Sequence, residues 1–544
     1  MAKAREIFVP YKLVISLLAA TAVCGEVAAQ SPAPPRYAND STTSGIAHSY
    51  IGGWEFFVGG GVATFDCDAD GRPDLYFAGG ENRGKLYRNT TRTGGRLTFA
   101  LEADSRAALT AVTGAYPLDI DGDGHLDLAL LRLGENVLFR GLGDCRFERA
   151  NETWGFEGGQ AWSTAFTARW DQNRDWPTIV IGNYVDRDKP GSPWGTCHDN
   201  LLFRPAEDDG FSPPLPLRPS HCALSALFTD WNRSGIQDLR LSNDKQYDRD
   251  GEEQLWRVPA DGQPTPYGAG DGWRHLTIWG MGIASHDVTG DGYPEYVLTS
   301  MGDNKLRVLA AGPGQPTYMD AAYKRGMTAH RPYAGGDLRP STAWHAEFKD
   351  VNNDTFMDLF IAKGNVEAMK EAAIRDPNNI LIGDSDGRFI DGGEAAGIVT
   401  YASARGASLA DFNLDGLPDL VVVNRKAGVE VWRNVGRGSV DKPAPMGNWL
   451  QLKLRQDGGN RNAVGAWIEV RIGSRTLLKE VTVGGGHASG HAGWIHFGVG
   501  AAERAEVRVQ WPGGAWSDWI ELATNQFAHI VRDAAQADIW QPRE

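Results

Sequence analysis

The sequence predicts an all-β protein: a seven-bladed β-propeller followed by a C-terminal β-sandwich-like domain. Three observations predict it. One acidic loop pattern recurs along most of the chain, and each copy is followed by a short apolar strand. The composition is also rich in glycine (67 residues) and tryptophan (19 residues). Tight turns joining short aromatic-rich strands give an all-β protein that composition. At 544 residues the chain is too long for one compact core, and its 42 % apolar content is enough for packed interiors.

The loop carries an oxygen-bearing side chain at positions 1, 3, 5 and 9 and usually glycine at 6. The first copy is Asp66, Asp68, Asp70, Gly71 and Asp74; the second is Asp119, Asp121, Asp123, Gly124 and Asp127. Further copies are Asp230, Asn232, Ser234, Gly235, Asp238, and Asp287, Thr289, Asp291, Gly292, Glu295. The sixth unit has Asp350, Asn352, Asp354 and Asp358, with Thr355 where glycine is expected, and the seventh has Asp411, Asn413, Asp415, Gly416 and Asp419. A worn copy fills the gap after the second. It starts from Asp171, has broken ligand spacing and places Arg174 in the loop. It counts as a repeat, and its sequence leaves open whether it binds metal.

A second recurring strand supports seven units. It reads Lys85-Leu86-Tyr87-Arg88, Val137-Leu138-Phe139-Arg140, Leu201-Leu202-Phe203-Arg204 and Gln254-Leu255-Trp256-Arg257, with counterparts at 305–308, 380–382 and 429–433. Successive loops start 52 to 63 residues apart, room for four short strands and their connections. Such units cannot bury both faces alone, so they stack in a ring. Before the loops lie segments of small residues, such as Gly59-Gly60-Gly61, Gly114-Ala115 and Arg405-Gly406-Ala407. These are expected to be inner strands that converge on a central channel.

The loop spacing puts alternate side chains on the inside of a tight turn, as in a calcium-binding loop. All donors are hard oxygens, which favours Ca²⁺ over zinc or copper, and the strict octahedral demand of Mg²⁺ disfavours it. Clustered carboxylates would repel one another without a cation. About six Ca²⁺ sites are therefore expected, and the ions would offset most of the formal charge of −15. Their expected role is to staple the blades. The acidic surface argues against a nucleic-acid partner.

Residues 1–29 read as an export signal, with Lys3, Arg5 and Lys12, a short apolar run from Leu13 to Val23, and small residues at 27–29. That run is too short to cross a bilayer, and no later stretch is long and apolar enough. The mature protein is expected to be secreted or periplasmic. It would keep Cys67, Cys145, Cys197 and Cys222, an even number compatible with two disulfides and three connectivities. Cys197 with Cys222 is preferred because it closes a proline-rich excursion, and Cys67 with Cys145 then follows by elimination.

The seven loops with their downstream strands resemble FG-GAP or VCBS repeats, the blade units of integrin α-subunit propellers. The C-terminal part resembles the ASPIC/UnbV domain through Asn448-Trp449-Leu450-Gln451-Leu452, Asn460-Arg461-Asn462-Ala463-Val464-Gly465-Ala466, Gly484-Gly485-Gly486, His496-Phe497-Gly498-Val499-Gly500 and Val509-Gln510-Trp511-Pro512-Gly513-Gly514. The pairing resembles the cartilage acidic protein family, which implies an exported Ca²⁺-binding protein with adhesion or matrix-type roles. The expected organisation is a linker at 30–44, a propeller at 45–440, the ASPIC/UnbV domain at 445–533 and a tail at 534–544.

Other features carry less. Gly486-His487-Ala488-Ser489-Gly490-His491 is read as a glycine-rich turn inside the C-terminal domain, and His345 as a packed residue on an inner strand. The excursion from Asp186 to Cys222 is expected to be a surface lid. No nucleophile elbow, phosphate loop or dinucleotide fingerprint occurs in a suitable context, and no catalytic residue is assigned. The expected function is a binding or adhesion-type module for a glycan or protein partner. The alternatives are an enzyme acting on a polysaccharide or small sugar at the channel mouth, and an accessory in making or exporting another product.

Overall fold

A computed structural model describes residues 33–189, 196–244, 251–321, 323–328 and 331–543. The expected export signal lies outside the described residues. The fold is a β-propeller. Seven inner strands follow one another around a ring: Val62–Phe65, Val112–Leu118, Ser163–Arg169, Ala223–Thr229, Gly280–His286, Ala343–Lys349 and Ser403–Ala410. Six of them belong to antiparallel sheets of four strands, and the first belongs to a sheet with a fifth strand added in parallel. Each inner strand packs against the next, and the last packs against the first.

Burial falls outward through each blade. The second strand, such as Asp419–Arg425, is buried along its whole length. It has blades on both sides and therefore reads as a near-continuous apolar run. The outermost strand, such as Phe99–Leu101, buries only its first residue. The core lies between blades: Phe65 and Leu75 of the first pack in one cluster with Leu128 and Phe139 of the second and Val421 and Val431 of the seventh.

Ring closure uses a segment expected to be linker. Arg36–Asn39 is a strand, and it pairs antiparallel with Glu430–Gly436 as the fourth strand of the last blade. The two ends of the propeller chain thus share one sheet. Both expected disulfides are present, Cys67–Cys145 and Cys197–Cys222. The first joins position 2 of the first loop to the second blade.

The C-terminal domain is a sandwich of two four-stranded sheets. One contains Asn448–Arg455, Ile495–Gly500, Gln526–Val531 and Asp538–Trp540; the other contains Trp467–Ile472, Arg475–Glu480, Arg504–Gln510 and Ile520–Ala523. Alternate residues Leu450, Leu452, Ile468, Val470, Val507 and Val509 form its core, as the two-residue period of a strand requires. Asp538–Trp540, within the expected tail, is a paired strand of this sandwich.

The glycine-rich segment is not a turn inside the sandwich. Residues 483–492 leave it and enter the ring. Val483 bridges to Ala168, Gly484 to Leu227, Gly486 to Ile283 and Ser489 to Ala115, while Gly490–Ala492 runs parallel to Val62–Phe65. The expected open channel is therefore filled by chain from the C-terminal domain. Small inner-strand residues make room for this plug as well as for neighbouring blades: a Cβ at Gly61 would lie 1.7 Å from the Ala488 carbonyl oxygen.

Candidate metal centres and the cleft behind them

All seven loops lie at one face, where each inner strand ends. In six of them the carboxylate at position 1 accepts the amide of residue 6, as in Gly71 N to Asp66 Oδ2 at 3.0 Å and Gly416 N to Asp411 Oδ2 at 2.8 Å. The loop turns sharply because residues 4 and 6 both have positive φ. Position 6 is glycine at +81° to +92° in five loops and Thr355 at +79° in the sixth blade. Position 4, which the spacing did not single out, is left-handed in every one of the six, at Ala69, Gly122, Arg233, Gly290, Asn353 and Leu414.

Position 9 opens the second strand of each blade and holds the loop to the sheet. Asp74 accepts the amides of Cys67 and Asn89, Asp127 those of Ile120 and Gly141, Asp358 those of Val351 and Gly383, and Asp419 those of Phe412 and Asn434. Glu295 takes the amides of Val288 and Thr289 on one oxygen. Asp238 differs: its Oδ2 accepts Trp231 Nε1 at 2.9 Å and Tyr267 OH at 2.6 Å.

The first two loops gather their carboxylates most closely. Oxygens of Asp66, Asp68 and Asp70 lie within 4.8 Å of one another, and so do those of Asp119, Asp121 and Asp127. Asp66 Oδ1 and Asp119 Oδ1 are buried without a hydrogen-bond partner among the described residues. A buried anionic oxygen left that way is costly, and a cation in the loop would satisfy it. The residues present thus fit a hard divalent ion. Arg88 lies 3.0 Å from Asp68, and Arg140 lies 2.7 Å from Asp121 and 2.9 Å from Asp123. The arginine that ends the recurring third strand is thus the outer counter-charge of these loops.

Burial, with mutual repulsion as a further cause, pushes the loop acids up. Asp119 rises to about 7, Glu295 to about 7 and Asp350 to about 8. Asp74, Asp127, Asp358, Asp411 and Asp419 also rise well above the usual carboxylate range. Without a cation these acids would hold protons near neutrality.

The third loop is framed differently from its sequence reading. Thr178 opens the second strand and pairs with Arg169 as Asp127 pairs with Leu118. Position 9 is therefore Thr178 and position 1 is Trp170, not Asp171. Asp171 instead meets Arg169 Nη2 at 2.7 Å and Thr178 Oγ1 at 2.6 Å. A buried guanidinium takes the place of an ion.

The sandwich covers this face. Lys453 Nζ reaches Asp66 at 3.3 Å, Arg461 donates to the Gly122 carbonyl, and Gly459 N donates to Asp175 at 3.1 Å. Trp467 Nε1 donates to Asp230 at 3.3 Å, Arg475 to the Thr355 carbonyl at 2.9 Å and Gln451 to Asp411 at 2.5 Å. Six of the seven loops thus touch the C-terminal domain.

Between the two domains lies a cleft of about 1090 Å³. Its inner wall carries His345, Glu347 and Lys349, alternate residues of the sixth inner strand, and its outer wall carries Lys479 and His491. Glu347 accepts Leu409 N at 3.0 Å and pairs with Lys349 at 3.2 Å; burial would raise its pKa, but the Lys349 ammonium and the neighbouring His345 outweigh that and leave it far below the usual range. Burial, then the Lys349 ammonium, lowers Lys479 to about 7. His345 is packed, as expected, and accepts His487 N on Nδ1 at 3.1 Å. Arg405 is locked on the carbonyls of Phe57, Ala404, Asn365 and Val366 and stacked 4.1 Å from Trp344. The outer wall escaped the sequence reading because Lys479 and His491 approach the channel only through the docked sandwich.

Residues 66–130 and 350–422 match the FG-GAP-like repeat family, and residues 456–537 match the ASPIC and UnbV family. The chain carries FG-GAP-like repeats and an ASPIC/UnbV domain. The matched repeat segments hold the first, second, sixth and seventh loops, those with the fullest position-9 clamp. The ASPIC/UnbV match includes the plug. No curated protein matches the chain. Among solved structures it is similar to a chain described as BBS1N in complex with ARL6DN, at 11 % identity over 74 % of this chain and 97 % of that one, with a TM-score of 0.42. It is also similar to an Agrocybe aegerita lectin described as recognising non-reducing terminal N-acetylglucosamine, at 15 % identity over 61 % of this chain and 79 % of that one, with a TM-score of 0.35.

Proposed function

We propose that this protein is an exported, calcium-loaded binding module of the cartilage acidic protein type. Ca²⁺ in the FG-GAP loops would fix the blades and the ASPIC/UnbV domain as one body, and the exposed face opposite the loops would meet a glycan or protein partner. The observation that carries the metal reading is the pair of buried, unpartnered oxygens, Asp66 Oδ1 and Asp119 Oδ1, inside tight carboxylate clusters. Loops 1, 2, 6 and 7 have the strongest support, because each keeps the position-9 clamp. Loop 4 has less, since Asp238 is held by Trp231 and Tyr267.

The ASPIC/UnbV domain occupies the loop face and the plug occupies the channel. At the opposite end, around the starts of the inner strands, Trp54, Tyr333 and Tyr401 are 45 %, 45 % and 41 % exposed. Half-exposed aromatics suit sugar rings and protein contacts alike. The enzyme reading has less support: Arg405 is sealed, and Glu347 already serves Leu409 N and Lys349. Two disulfides suit an oxidising compartment outside the cytoplasm.

Elemental analysis of the purified mature chain, followed by glycan-array and protein-capture screens with and without calcium, tests this reading. Several bound calcium ions and a ligand whose binding weakens on Trp54→Ala are expected. A chain with no bound calcium, and no change in melting on adding it, would reject the metal half. Ligand capture unaffected by substitutions across the Trp54 face would reject the surface half.

A further inference from the structure

We propose that the cleft between the propeller and the ASPIC/UnbV domain binds a small oxyanion-bearing molecule, held by Lys479, Lys349 and His345. The inference concerns a site apart from the partner face.

Around Glu347, donors exceed acceptors. Lys479 lines the cleft, and its side chain makes no ion pair or hydrogen bond among the described residues. Lys349 has one acidic partner, Glu347. Both Glu347 oxygens are engaged, one by that ammonium and the other by Leu409 N. His345 Nδ1 accepts a backbone N–H, so a neutral ring carries its proton on Nε2. That Nε2 is buried, lacks a hydrogen-bond partner and lies 3.7 Å from Glu347, beyond hydrogen-bond reach. Lys349 and the His345 N–H thus face a single carboxylate, and the Lys479 side chain of the same cleft pairs with none.

Buried N–H donors without acceptors are unfavourable, and an oxyanion in the cleft would accept from them. The other acids of the lining do not fill this role. Glu480 accepts Asp230 N, Thr229 Oγ1 and Gln237 Nε2. Asp66, Asp68, Asp119 and Asp287 belong to the ion loops, so the inference rests on those loops being loaded, and Asp144 pairs with Arg88. The rim is charge-balanced, with exposed Arg455 and Arg532 beside exposed Asp457 and Asp533. Selection therefore falls to the interior. A volume of about 1090 Å³ admits a molecule of sugar-acid size.

Isothermal titration of the full mature chain in millimolar calcium tests this, with glucuronate, sulfate and glucose as probes and calcium content measured on the same sample. Saturable binding of glucuronate, sulfate or both is expected, with none for glucose. Glucuronate alone would indicate an organic acid, and competition by sulfate would indicate recognition of the oxyanion itself. Lys479→Gln should weaken binding by about tenfold or more, whereas Lys479→Arg should retain it. Melting curves of both variants verify folding. A fully calcium-loaded chain that takes neither anion, or a folded Lys479→Gln variant that binds like the wild type, overturns the inference. The calcium reading would survive either result.

Discussion

His487 donates its backbone N–H to Nδ1 of His345 at 3.1 Å, tying the tip of the ASPIC/UnbV plug to the sixth inner strand of the propeller. His487 is fully buried, lies against Trp344 and accepts Gly59 N on Nε2. The two domains therefore share an interior and should unfold together.

Gly61→Ala tests that shared interior. Its Cβ would have to displace the Ala488 carbonyl, a backbone group with little room to move. A loss of about 3 kcal/mol is expected from overpacking of this kind. Gly428→Ala, where nothing lies within 4 Å, should be near neutral. Urea denaturation compares the two, and equal midpoints would contradict the plug.

Removing calcium should reverse the pH dependence of stability. In the stripped protein Asp119 and Glu295 titrate near 7, above their unfolded values near 4. The native state then binds more protons than the unfolded chain between about pH 4 and 7, so stability falls as pH rises through that window. With calcium present the ion competes with those protons, and stability should be flat or rising. Melting temperatures at pH 5 and 8, with and without the ion, read the sign directly.

Asp171→Ala should leave calcium content unchanged yet destabilise strongly. It strips a carboxylate from Arg169, which is 3 % exposed. Breaking a buried pair from one side costs about 3 kcal/mol or more. Asp119→Asn should instead lower the measured calcium content. A fall in calcium content for Asp171→Ala would instead mark the third loop as a metal site.

Thr355→Gly should raise stability slightly. Thr355 holds φ +79° with a β-branched side chain, a conformation that costs about 1–2 kcal/mol outside glycine. Part of that relief is offset by the greater freedom of glycine in the unfolded chain. A net gain of about 0.5–1 kcal/mol in chemical denaturation is expected. A loss would mean that the threonine side chain contributes packing of its own, for example against Gly500.

The ion loops were legible because their chemistry is local. Nine consecutive residues set which oxygens turn inward, and the strand after position 9 is a short apolar run such as Leu420-Val421-Val422-Val423. The disulfide pairs agree with the sequence reading for a similar reason, as few partners were available. The frame of the third loop was not legible. Asp171 resembles a first ligand in the sequence, and only the pairing of Arg169 with Thr178 shows that Trp170 holds that position.

The sequence by itself determined the repeated blade, its loop chemistry and the β character of the C-terminal domain, because turns, strand periodicity and side-chain oxygens act over a few residues. Tertiary structure decided where residues 483–492 go, which face stays exposed and which side chains meet in the cleft. Those outcomes depend on contacts between residues hundreds of positions apart, such as Gly61 with Ala488, and no local pattern records such a contact until the ring has closed around it.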